Sequence, residues 1–447
     1  SNFDLAGQFL FYGVVNQNLT LANMPYAKLP DIKAKVNSSG WLPEYIDLSA
    51  DTQNTYFYKA PRVTEDPSKV KQPKVGSQVD GFRGYEAPKA ALNLGETWGF
   101  FKPSVEVPIR YYNLNRDITN DIKFENASVT SVIPIFNIDS GLYFDRDFTT
   151  SKGAYSQSLE PRLFYTYIPY QNQKDIPIYD TNLSNEQYMQ MFEVNRFVGR
   201  DRINNANQLT YAFESKTLNN DDGSTLAEAK IGQQIFFANR QVSLQQGNQK
   251  FTDNMLPQFP NSTFSPIMSS FSWSVLENIN LSAQVNYRVD KNNVDYQVYQ
   301  VQYKDKNKNI FNLSYNNIAN NWAGMSPADI SSGKKPKAQQ TITTSTMFSL
   351  TESLAIAALA NYNFEQNKFS NAFIGLQYDA NSWAIRAMYQ TSAYTNEDPN
   401  NTDVLGALTG TYILQAELKG LGGIVGDSDL SQRVKMISGY EEGMWGV

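Results

Sequence analysis

Glu160, Arg162, Asp175, Asp180, Glu193, Arg196, Arg200, Asp201 and Arg202 crowd one stretch of the chain, between Gln157 and Lys216. Carboxylates and guanidiniums placed so close can pair with one another in a partly buried polar interior, where an uncompensated charge is costly. The same arginines, Arg196, Arg200 and Arg202, could instead guide an anionic ligand or dock a partner. Neither role is catalysis. The 447 residues include no His and no Cys, which removes Ser-His-Asp and Cys-His nucleophiles and thiolate or imidazole metal sites. Carboxylate, Lys, Ser or Tyr chemistry is what remains, and no carboxylate pair can be assigned a glycosidase separation from sequence. The run Asn219 to Ser224 is faintly like a calcium loop, but it lacks the ligand spacing and the closing Glu, and Asp222-Gly223 marks a hairpin turn. The expectation is no catalytic residue, no metal and no cofactor.

The elements that position the charges are strands. Alternating segments Gln157–Tyr167 and Asn207–Leu218 bracket an irregular insert over 168–206, rich in Pro, Asp, Arg and Asn. An insert of about forty residues with no regular pattern needs a task or a protected place. Downstream, Leu281, Ala283, Val285, Tyr287 and Val289 alternate with polar residues, a period of two. Turns rich in Asp, Asn and Lys follow, then Tyr299, Val301 and Tyr303, then Phe311, Leu313 and Tyr315. After a polar loop over 316–337 the pattern resumes through Leu354–Phe364, Ala372–Tyr378 and Trp383–Tyr389, and the last long candidate is Val404–Leu418. Counted along the whole chain this gives roughly 18 strands and almost no helix pattern. Residues 419–447 read as a tail packing beyond the last strand.

Composition narrows the fold class. Charged residues make up 18% and aromatics 13%, the mean hydropathy is -0.47, and no helix-length apolar window is present. A transmembrane β-barrel remains open, because its strands carry apolar residues only at alternate positions. The net charge of -6 offers no basic face for nucleic acid. The chain begins in a strand-like pattern with no signal peptide visible, so export would require that one had been removed. Alternation alone also describes sandwiches, propellers and solenoids. Strands longer than the typical 5–6 residues, a polar face of small uncharged side chains and aromatics near strand ends favour an all-β, antiparallel transmembrane barrel over 1–418.

The run QSLEPRLFYTYIPYQNQKDIPIYDT with NRFVGRDRINNANQLT closely resembles the barrel domain of the lipopolysaccharide-assembly outer-membrane protein family, LptD or organic solvent tolerance protein. Ser140 to Asp147 and, downstream, Gln377-Tyr-Asp, Trp383 to Arg386 and Glu417 to Gly422 match the family's strands around the block. The resemblance spans essentially the whole chain. It implies a barrel of about 26 strands, of which the roughly 18 here would be the C-terminal portion. It also implies a bacterial outer-membrane location and insertion of lipopolysaccharide into the outer leaflet. An LptE-like plug lipoprotein would sit in the lumen, and periplasmic lipopolysaccharide-bridge proteins would engage an N-terminal domain.

Carried over residue by residue, the resemblance implies a last strand that forms one side of a lateral gate. Its positions here are Leu405, Gly406, Leu408, Gly410, Tyr412, Leu414, Ala416 and Leu418. The glycines weaken a strand that is an edge unless its partner closes it, or they only relieve twist. Glu160, Arg162, Asp175, Arg196, Arg200, Asp201 and Arg202 become a luminal charged block, a scaffold or a plug contact, with the scaffold favoured. Many family members carry adjacent cysteines just before the penultimate strand; the matching positions are Asn381 and Ser382, so the family's inter-domain disulfide cannot form through this segment. A non-enzymatic translocon is therefore the leading expectation. A passive porin on the same barrel and a soluble carboxylate hydrolase are the alternatives.

Overall fold

The computed structural model describes residues 2–12, 25–38, 40–59, 79–115, 123–184, 187–251, 255–256, 261–319, 337–380, 382–393, 408–418 and 429–441. Period-two segments become strands throughout, and 22 strand segments join one sheet. Gly81–Leu92 runs on into Leu94–Glu96, Gly99–Glu106 into Ile109–Leu114, and Ser128–Val132 through Ile135–Leu142 into Phe144–Thr150. With those segments joined, the sheet has 18 passes among the described residues, each antiparallel to its predecessor in the chain. That is the expected meander.

The sheet is inside-out compared with a soluble protein. Along its strands Phe136, Ile138, Leu163, Val301, Leu313, Ile374 and Leu376 are exposed. The alternating positions, such as Asn137, Thr166, Asn312 and Gln377, are buried and polar. A continuous exposed apolar face over a polar interior is the signature of strands that meet lipid. Aromatics gather at hairpin ends, where Tyr362 packs edge-on against Phe364 and Phe369, and Tyr378 lies 5.4 Å from Trp383.

Two prolines interrupt neighbouring passes side by side. The break at Val107-Pro108 lies beside the break at Ile133-Pro134, with Ile109 opposite Val132 and Glu106 opposite Ile135. Pro88, Pro103 and Pro161 also stand within paired strands, opposite Ala50, Ile138 and Phe213. None of the five can donate a ladder hydrogen bond.

Between Gly153–Ile168 and Ala206–Asn219, which pair along their whole length, the insert folds back inside. It contains a short hairpin, Asn182–Leu183 with Phe197–Val198, and one 3-10 turn, Met189–Phe192. The run Asn219 to Ser224 closes the next hairpin, with Gly223 at φ 71°. At the C-terminus a short helix, Asp429–Val434, lies on the inner face of the late strands instead of beyond the last one. Among the described residues Phe3–Leu10 pairs only with Ala27–Asn37, and Leu408–Leu418 only with Trp383–Ala393.

Candidate luminal anchor and sheet seam

Gly199 prepares the centre of the insert. Its φ of +84° is costly for any other residue, and a Cβ there would collide with the Asp180 carbonyl and the Thr181 hydroxyl. The turn presents Arg200, Asp201 and Arg202 to the inner wall. All four acceptor positions of the Asp201 carboxylate are used. One oxygen accepts from Arg83 Nη1 at 2.7 Å and from the Tyr112 hydroxyl at 3.1 Å. The other accepts from the backbone N–H groups of Tyr179 and Asp180, at 2.8 and 3.0 Å.

Arg83 projects from the strand Gly81–Leu92 and also grips Asp180 through two bonds, 2.7 and 2.9 Å, while Gln53 accepts at 3.3 Å. Lys28 reaches the same Asp180 carboxylate at 2.9 Å. Burial by itself pushes the Asp180 carboxyl upward, but Arg83 and Lys28 outweigh it and hold the group below the usual carboxylate range. The Arg83 guanidinium lies 4.7 Å above the Phe57 ring, and Phe57 stacks on Tyr179 at 4.2 Å. Arg110, from the next pass, donates to the Asp201 carbonyl at 2.9 Å, to Ser131 Oγ at 2.7 Å and to Gln173 Oε1 at 3.0 Å.

Arg202 turns away from every carboxylate. It donates to the carbonyls of Asp201, Ile176, Ser243 and Gln245, and burial pulls its guanidinium down to about 10. Arg200 pairs with Asp51 at 2.7 Å and covers the Tyr85 ring at 4.2 Å. The structure thus unites Asp180, Arg200, Asp201 and Arg202, and pairs the first three with charges of the barrel wall. Within the block the contacts are to backbone, not charge to charge.

The other block residues lie elsewhere. Arg162 makes a bidentate pair with Asp139, at 2.8 and 2.7 Å, and sits 4.0 Å over Phe192. Glu160 accepts from Ser158, Asp175 stands half-buried outside the network, and half-buried Arg196 shares the Phe236 ring with Arg240. Reading the sequence did not single out Lys28, Arg83, Arg110 or Tyr112. The available signal was an Arg in the inward phase of otherwise uncharged runs, Gly81-Phe-Arg-Gly-Tyr and Ile109-Arg-Tyr-Tyr.

The seam is the second site. Leu408–Leu418 registers against Trp383–Ala393, from Leu418 opposite Trp383 to Leu408 opposite Ala393. On its outer face Tyr412 is 83% and Leu414 77% exposed. Gly410 lets Tyr389 lie across the strand, since a Cβ would stand 2.7 Å from the Tyr389 hydroxyl. From the inside, buried Arg386 ties Glu417 at 2.8 Å and Gln377 at 2.9 Å. Ala416 is exposed, Leu405 and Gly406 lie outside the described residues, and so does Asn381; Ser382 is exposed in the turn before Trp383. Neither site brings carboxylates together around an open space. Both are fastenings.

The family model described as LptD, LPS transport system D, matches residues 1–332. The LPS-assembly protein LptD of Francisella tularensis subsp. holarctica (strain OSU18) is 58% identical over 98% of this chain and 50% of its own length. The Legionella pneumophila (strain Lens) protein of the same name is 30% identical over 82% of this chain and 43% of its own. Among solved structures, the siderophore receptor PirA from Acinetobacter baumannii aligns over 93% of this chain and 68% of its own, with 9% identity and a TM-score of 0.42. The chain spans about half the length of the relatives it matches. With its lipid-facing strands, charged luminal insert and sequence match, the chain belongs to the LptD family of outer-membrane β-barrel proteins.

Proposed function

We propose that this chain is the seam-bearing portion of a non-enzymatic translocon that inserts lipopolysaccharide into the outer leaflet of the outer membrane. The observation that carries the reading is the last strand of the sheet, laddered to Trp383–Ala393 among the described residues, with Tyr412 and Leu414 on its lipid face. A last strand whose other edge meets its closing partner in the full-length protein can part from it there and let the acyl chains pass sideways into lipid, while the polar inner face accommodates the sugars. A passive porin is disfavoured by the insert, which fills the interior opposite Asp51, Arg83, Arg110 and Gln234.

The charged block acts as a scaffold: Asp180, Arg200 and Asp201 are spent on the wall, and Arg202 on carbonyls of the insert and its neighbouring loop. An LptE-like plug lipoprotein meets the exposed side of the insert, where Tyr170, Met189 and Val198 stand uncovered. Periplasmic lipopolysaccharide-bridge proteins engage the other half of the full-length protein. No cysteine of residues 1–447 competes with engineered pairs placed there. Cross-linking Leu408–Leu418 to the strand that closes it in the full-length protein should block surface lipopolysaccharide, and undiminished delivery would overturn the reading.

A further inference from the structure

We propose that the C-terminal segment Asp429–Glu441 is an internal strap that pins the last strand to the strands before it, so that its docking sets how far the seam can open. This rests on the seam reading above.

Leu430, Val434 and Ile437 follow at helical spacing on one face, and all three are wholly buried. They land on Ile310, Met347, Ala357, Leu359, Phe373 and Met388, inward positions of the five strands that precede the last. Two other apolar patches on the inner face, around Phe57 and Tyr112 and around Ile133 and Ile135, are covered by the insert, and this one is covered by the C-terminal segment. Ile413 of the last strand packs against the same cluster. The last strand therefore has, besides its ladder to Trp383–Ala393, two holds from inside: the Arg386–Glu417 pair and the packing of Ile413 on the apolar cluster that the strap completes.

Polar contacts fix the strap's far end. The Ser438 carbonyl accepts from Asn312 Nδ2 at 2.9 Å and from Gln302 Nε2 at 3.2 Å. Lys304 donates to the Gly439 carbonyl at 3.2 Å and pairs with Glu441 at 2.5 Å. Gly439, at φ +85°, makes the turn that aims these carbonyls at the wall. The strap thus spans from the middle of the sheet to the seam. A strand held on one edge and released from its inner packing can bend outward without breaking the ladders behind it.

The test uses the full chain folded in detergent, with a protease site placed between residues 419 and 428 and cut only after folding. Hydrogen exchange is followed on the amides of Leu408–Leu418, with Ile279–Arg288 as the internal control. Cutting and washing the strap out, or the substitutions Leu430→Asp and Val434→Asp, should speed exchange in the last strand roughly tenfold and leave the control unchanged. Adding back a synthetic peptide of residues 429–441 should restore protection. Unchanged exchange in the last strand, with loss of the strap verified by mass, would overturn the proposal, as would equal acceleration in the control strands. A seam cross-link that leaves lipopolysaccharide delivery intact would sink the translocon reading while leaving the exchange result standing.

Discussion

The Arg83 guanidinium on the barrel wall and the Asp201 carboxylate of the insert meet at 2.7 Å with both side chains wholly out of solvent. They are 118 residues apart in the chain, and the pair fastens the insert to the fourth pass of the sheet.

Removing one partner strands the other. Arg83→Ala should destabilise the folded barrel by about 3–5 kcal/mol, because Asp180 and Asp201 lose their shared counter-charge in a buried site. Denaturant unfolding in detergent measures it. Arg83→Met combined with Asp201→Leu should recover only part of the loss, since Asp180 keeps Lys28 but loses Arg83, and the N–H groups of Tyr179 and Asp180 lose their acceptor.

The acid limb of stability should belong to Asp180. Its carboxyl is depressed in the fold by Arg83 and Lys28 against the opposing push of burial. A depressed carboxylate contributes stability that is fully present above its unfolded value of about 3.9 and is lost as pH falls toward the folded value. The thermal midpoint should be flat in this respect from pH 8 to about 5 and fall below about pH 4. Asp180→Asn should flatten that fall; an unaltered acid limb in the variant would refute the assignment.

Gly199→Ala should loosen the insert while leaving the strands intact. A non-glycine residue at positive φ costs about 1–3 kcal/mol, and the collision with Asp180 and Thr181 adds to it. Limited proteolysis should then cut within 169–205, with the barrel fragments still protected.

A charge on the outer face should be costly in proportion to depth. Leu313, exposed in mid-strand opposite Val301, should cost about 2–4 kcal/mol as Leu313→Arg in a bilayer. The inward neighbour, as Ser314→Arg, should be far milder. Refolding into lipid vesicles separates the two.

The meander was legible because lipid outside and polar groups inside leave a clean period of two, as in Leu281–Val289. The insert's boundaries were legible for the same reason, since alternation stops at Ile168 and restarts at Ala206. Its charge partners were not. Which wall residue faces Asp201 depends on the register of the fourth and fifth passes, and Arg83 and Arg110 look locally like ordinary lumen positions. The strap escaped notice because three apolar residues over two turns carry too little periodicity to mark a helix.

Five prolines of passes four to seven have a mechanical consequence. Pro88, Pro103, Pro108, Pro134 and Pro161 each delete a rung from passes four to seven, and the aligned breaks at Pro108 and Pro134 crease the wall. The insert seats on that crease, with Ile203 and Val194 against Ile133 and Ile135 and Asp201 on Arg110. It behaves as a keystone: the wall there is braced from within where its own ladder is thin. Deleting the insert would not open a wider pore but take away the brace, and the wall would fail at the crease.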